Sequence, residues 1–197
     1  MAVGHDGDMR EMSTGRIVLL NGASSSGKTC IARQLLMLLD PPHFHMAVDA
    51  FGAMRASQKT RDLAPGDLAE VLQKTRAGFH RAVAGMAFAG NNIVMDHVLS
   101  EPWRLDDCLV VLAPYDVTLV AVHCSLAELE CREKRRSDRS IGIAAAQYEL
   151  VHAHEDYDVE VDTEASSPAR CAQQIQGALK HLPATKAFDR LRRGRST

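Results

Sequence analysis

A chain of 197 residues has the length of one domain and can bury a real core. Its 46% hydrophobic and 24% charged residues exclude a disordered tail or a collagen-like fibre, and a net charge of −2 excludes any general attraction to nucleic acid or anionic lipid. No apolar run approaches the roughly 20 residues that span a bilayer, and residues 1–15 lack the apolar centre of a signal peptide, so the expected setting is the cytoplasm.

Residues 1–15 hold Gly4, Gly7 and Gly15 without an apolar period and read as a mobile leader. Arg16 to Asn21 is a short apolar run that enters a Gly/Ser-rich turn at once, the pattern of a strand buried on both faces of a parallel sheet. Ile31, Leu35, Leu38 and Leu39 then recur at helical spacing until Asp40-Pro41-Pro42 stops them. Four further apolar segments that end in polar residues are expected strands: Phe44 to Asp49, Ile93 to Asp96, Thr118 to His123 and Asp158 to Asp162. The clearest helix runs from Asp67, with Glu70 completing a capping box and Leu68, Val71, Leu72, Phe79, Val83 and Met86 on one face. Other helices are expected at Pro102 to Leu112, Leu126 to Arg136, Ile143 to Glu155 and Pro168 to His181. This alternation makes residues 16–183 one α/β domain, a parallel sheet covered by helices on both sides. Residues 184–197, with Lys186, Arg190, Arg192, Arg193 and Arg195 against Asp189, read as a basic, solvated end.

Gly22-Ala23-Ser24-Ser25-Ser26-Gly27-Lys28-Thr29 fills every position of G-x-x-x-x-G-K-[ST], between an expected buried strand and an expected helix. Curving a loop so that successive N–H groups converge on phosphate oxygens requires glycines, and the following helix N-terminus adds donors and positive potential. Lys28 is then placed to neutralise the β- and γ-phosphates of ATP, and the Thr29 hydroxyl to meet Mg²⁺.

Two acids follow strands on the same side of the sheet. Asp49 is either a general base for an acceptor hydroxyl or the cap of a short helix beginning at Ala50. Asp96 is either a Mg²⁺-linked carboxylate or a loop cap, and His97 beside it either meets substrate or fills space. The basic run Arg132, Lys134, Arg135, Arg136 and Arg139 is either a lid that closes over a transferring phosphoryl group or a solvated helix face. His43-x-His45 and His152-x-His154 lack the spacing of a zinc pair, and five cysteines without a CxxC read as reduced thiols. Asp49-Ala50-Phe51-Gly52 superficially matches a GTPase D-x-x-G element, but it follows the wrong strand and no N-K-x-D accompanies it.

The chain resembles the chloramphenicol phosphotransferase family of P-loop kinases over roughly Ile17 to Leu179. Carrying the likeness are Asn21 to Thr29, Val48-Asp49, the strand ending at Asp96, Cys131-Arg132-Glu133 through Ser137-Asp138-Arg139, Val151-His152, and Tyr157 to Asp162. The resemblance implies the nucleotide-kinase type of P-loop NTPase fold, three layers with a five-stranded parallel sheet in the order 2-3-1-4-5. It implies Asp49 as base for the antibiotic's primary hydroxyl, and Arg132, Arg136 and Arg139 on a lid around residues 132–140. Arg136 would then act on the transferring group, with Arg132 and Arg139 on the nucleotide. The expected activity is ATP- and Mg²⁺-dependent phosphorylation of a small hydroxyl compound, first of all chloramphenicol. The alternative acceptors are a nucleoside, a sugar or another antibiotic. A nucleotide-binding switch is the distant alternative.

Overall fold

The computed structural model describes residues 13–135 and 142–195. Its sheet is built from β1 (Ile17–Asn21), β2 (His43–Ala47), β3 (Asn92–His97), β4 (Val117–His123) and β5 (Val159–Asp162), all parallel, in the order β2-β3-β1-β4-β5. All five residues of β1 are buried because the strand alternates into two cores. Ile17 and Leu19 meet Phe79 and Val83 of α4 (Pro65–Phe88) and Leu105 and Leu109 of α5 (Pro102–Val111). Val18 and Leu20 pack on the other face against Ile31 and Leu35 of α1 (Lys28–Leu38) and Cys171 and Ile175 of α8 (Pro168–Ala178). The expected three layers and strand order are therefore present. Among the described residues no helix is long and apolar enough to cross a membrane.

β1 pairs with β3 on one side and β4 on the other, so the chain crosses over in opposite directions from the sheet centre. In an open α/β sheet that divergence leaves a crevice beyond the carboxyl ends of the strands. The phosphate-loop motif, Asp49 and Asp96 all lie at that end of the sheet.

Several boundaries differ from the sequence expectation. β2 stops at Ala47, and Val48 already starts α2 (Val48–Ala53), so Asp49 belongs to the first turn of a helix rather than to a strand end or a cap. A further short helix, α3 (Ser57–Arg61), follows. The long helix α4 starts at Pro65, a residue preorganised for a first helical position, so Asp67 and Glu70 form no capping box; Glu70 instead pairs with Lys74 at 2.5 Å. Gly15, counted with the leader, is part of the fold: its N–H donates to Ala87 O at 2.8 Å, and a Cβ there would lie 1.8 Å from Asn91 O.

The basic end is the largest correction. Residues Ala187–Gly194 form a helix, which follows α6 (Leu126–Lys134), α7 (Ile143–Val151) and α8 and is numbered α9. Its Ala187 and Phe188 are buried in the core beside α5 and β4. The charges that suggested solvation are ion-paired to the body: Lys186 with Asp116, Arg190 with Asp156, and Arg195 with Asp106. Asp158 fastens the junction by accepting from Leu119 N at 2.9 Å and Ala187 N at 2.7 Å. Phe188→Ala is therefore expected to destabilise the protein by about 3 kcal/mol, read as a lower urea midpoint, where a solvated end gives roughly no change.

Candidate active site

The turn after β1 has the shape the motif demands. At Gly22 a Cβ would stand 2.5 Å from Val122 O and 2.8 Å from Ser26 Oγ, so the loop can pass that close to β4 only without a side chain. Gly27 has φ +93°, in the left-handed region, and launches α1. Ser24 N donates to Gln147 Oε1 of α7 at 2.8 Å, which pins the loop from outside. Lys28 is buried and donates from Nζ to Gly22 O and Ala23 O, both at 2.8 Å.

Asn21, the last residue of β1, holds the surrounding segments in place. Its amide donates to Val151 O at 2.6 Å and Tyr157 Oη at 2.8 Å, and its Oδ1 accepts from Leu99 N at 2.9 Å. Thus one side chain ties the loop after β3 and the end of α7 to the start of the phosphate loop.

Thr29 and Asp96 meet across the crevice: Thr29 Oγ1 donates to Asp96 Oδ2 at 2.7 Å. Asp96 Oδ1 lies 4.0 Å from Lys28 Nζ, and Asp96 Oδ2 lies 3.8 Å from His45 Nε2. Burial pushes this carboxyl up, but His45, Lys28 and Thr29 together outweigh burial and hold it below the usual carboxylate range. A hydroxyl and an ionised carboxylate side by side are hard oxygen donors, the set that suits Mg²⁺, which retains several waters. The loop and this pair therefore fit a Mg²⁺–triphosphate.

Asp49 faces the same space. A cavity of about 710 Å³ is lined by Lys28, Thr29, Asp49, Asp96, Arg132 and Thr163, among others. It brings together the sequence candidates from the loop, the second strand region and the third strand. Arg132 is held on its wall, donating from Nε to Glu128 Oε1 at 2.8 Å, from Nη1 to Thr163 Oγ1 at 2.9 Å and from Nη2 to Thr163 O at 2.8 Å. Thr163 Oγ1 in turn donates to Ser26 O at 2.8 Å, so Arg132 and the loop share one hydrogen-bond chain. Arg135 also lines the cavity, whereas Arg136 and Arg139 lie outside the described residues.

Residues the sequence reading passed over do much of the positioning. Glu133, read only as an offset to the basic run, is buried and accepts from Gly142 N at 2.7 Å and Ala144 N at 3.0 Å. It joins α6 to the start of α7, where a negative charge also complements the helix dipole. His97 is fully buried, with Nε2 2.7 Å from His80 Nε2, and His80 Nδ1 is 2.6 Å from Asp107 Oδ2; it fills the core rather than the cleft. No sequence spacing signals these long-range partners.

Of the paired histidines, His45 reaches the cleft and His152 binds Tyr157 Oη at 2.6 Å. Burial and neighbouring positive groups bring His152 and His154 down to about 4. A histidine whose folded value lies below its unfolded one binds more protons when unfolded, so stability falls as pH drops through about 6.5 toward about 4. The urea midpoint is expected to decline already between pH 7 and 5, and to decline less in a His152→Gln/His154→Gln variant. An identical slope in that variant would assign the loss to other groups.

A P-loop at the centre of a parallel sheet, facing a hydroxyl–carboxylate pair and an arginine-lined cleft, defines a phosphotransferase of the P-loop kinase class. The chain belongs to the chloramphenicol phosphotransferase-like family, whose model matches residues 15–180. It is 29% identical over 208 residues to the Mycobacterium tuberculosis H37Rv protein named "Putative O-phosphotransferase Rv2636", covering 94% of this chain and 91% of that one. Among solved structures it resembles the Mycobacterium tuberculosis APS kinase CysC in complex with AMPPNP and APS, at TM-score 0.62 and 17% identity, over 85% of this chain and 98% of that one. A sugar kinase from Janibacter matches at TM-score 0.61 and 18% identity, over 84% and 95% of the two chains. At these identities the structural matches speak for the fold alone.

Proposed function

We propose that this protein transfers the γ-phosphoryl group of ATP to a hydroxyl of a small molecule, with Asp49 as general base. The observation that carries the reading is the placement of Asp49 in one cleft with Lys28 and the Thr29–Asp96 pair. In this reading the loop amides and Lys28 bind and orient the triphosphate, and Thr29 and Asp96 are the residues that would hold Mg²⁺. A divalent cation held by these two residues would supply positive charge to offset that of the leaving phosphates.

Asp49 takes the acceptor's hydroxyl proton as that oxygen forms its bond to the γ-phosphorus and the bond to the β-phosphate oxygen breaks, releasing ADP. Arg132 closes the nucleotide side of the cleft, and Arg136 and Arg139 are assigned to the transferring group and the nucleotide on the family likeness. The likeness also makes chloramphenicol the first acceptor to try. Incubation of candidate acceptors with protein, ATP and Mg²⁺, followed by mass spectrometry, tests the reading. An acceptor heavier by one phosphate, with matching ADP, supports it. ATP hydrolysed to ADP with every acceptor unmodified contradicts it.

A further inference from the structure

On the assumption that Asp49 is the base, the charges around it describe the acceptor. α4 precedes β3 and must run antiparallel to it, so earlier residues of α4 lie further beyond the strand's carboxyl end. His80 is level with His97, the last residue of β3, through their 2.7 Å contact. Arg76 precedes His80 by about one turn on the same helical face, which lifts it roughly 6 Å past the end of the sheet, toward the crevice. Its neighbour Thr75 accepts a hydrogen bond from Arg55 Nη1 at 2.8 Å, and Arg55 follows α2, which carries Asp49. Arg76 thus stands between α2 and the loop 98–101.

A second cation is already fixed in that loop. Arg104 is buried and donates to Val98 O at 2.9 Å, to Ser100 Oγ at 3.2 Å and to Glu101, while its Nε is buried without a partner. Arg104 feels repulsion from Arg76 and attraction from Glu101 and Asp49. Arg55 Nε is likewise buried without a partner. Among the described residues, neither Arg55 nor Arg76 forms an ion pair, and Arg76 makes no hydrogen bond from its side chain. Arg76 and Arg104 are close to one another and to Glu101, and Arg104 is also within reach of Asp49, so when Asp49 takes a proton that acid no longer offsets the positive charge beside it. An anion brought by the ligand restores the balance.

We infer that the acceptor carries an anionic group, a carboxylate, phosphate or sulfate, beside its reacting hydroxyl, and that Arg76 is the specificity residue that receives it. Arg104 and Arg55 support it with positive potential. This deepens the proposed phosphoryl transfer and selects an acceptor unlike the neutral antibiotic.

The test has two arms. With Mg²⁺ and AMPPNP saturating the phosphate loop, sulfate is titrated while thermal stability is read. Wild type is expected to show a saturable rise, and Arg76→Ala to need about 10–100-fold more sulfate, with Arg76→Lys in between. No sulfate response in wild type, or the same curve in Arg76→Ala, overturns the inference. In the second arm, wild type alone is assayed on gluconate against glucose, adenosine 5′-monophosphate against adenosine, and chloramphenicol. At least about tenfold higher kcat/KM for an anionic member supports the inference, and chloramphenicol or another neutral compound as the best acceptor overturns it. Failure of AMPPNP itself to stabilise wild type is a separate result, which strikes the phosphoryl-transfer reading instead.

Discussion

Asp49→Asn is expected to bind ATP as wild type does and to lose acceptor phosphorylation by about 10²–10⁴-fold, the usual worth of a positioned general base. The substitution keeps the shape of the side chain in the first turn of α2 and removes its negative charge together with its ability to accept a proton. Losing a first-turn negative charge costs the helix about 0.3–1 kcal/mol, too little to unfold the domain. Steady-state kinetics with a turned-over acceptor, beside nucleotide affinity, separate the two roles. Turnover near the wild-type rate would leave Asp49 as a helix charge and remove it from the chemistry.

Lys28→Ala is expected to reduce turnover by at least about 10³-fold, the upper range for removing one preorganised group from developing charge. Its ammonium is fixed by two loop carbonyls, Gly22 O and Ala23 O, 4.0 Å from the Asp96 carboxylate. It therefore needs little reorganisation to meet phosphate oxygens. The same substitution leaves those carbonyls without that donor, so nucleotide affinity should fall as well, unlike in Asp49→Asn. Retention of both affinity and rate would mean that the loop is a structural turn.

The contrast between these residues shows what the sequence could reveal. Gly22 and Gly27 were legible because the backbone path dictates their type, a Cβ at Gly22 colliding with β4 and Gly27 needing a positive φ, and Lys28 and Thr29 because they stand at fixed spacing from those glycines. The central strands β1, β3 and β4 were legible because they are buried on both faces and read as apolar runs, and the edge strand β5 because its buried and exposed residues alternate. Asp49 was found as a residue but placed on the wrong element, since nothing like Gly or Pro marks the end of β2 and the apolar run continues into α2. The charged helix α9 was misread because the acids that neutralise it, Asp106, Asp116 and Asp156, are distant in sequence. For the same reason Thr163, Glu133 and Asn21 were invisible as positioning residues, because each acts through partners fixed only by the fold.

Calorimetric titration of wild type and Lys28→Ala with ATP in the presence of Mg²⁺ decides whether the loop after β1 binds a triphosphate. One saturable site is expected in wild type, preferring ATP to GTP and lost in the variant. No heat with wild type at millimolar nucleotide, or equal binding by the variant, would contradict it.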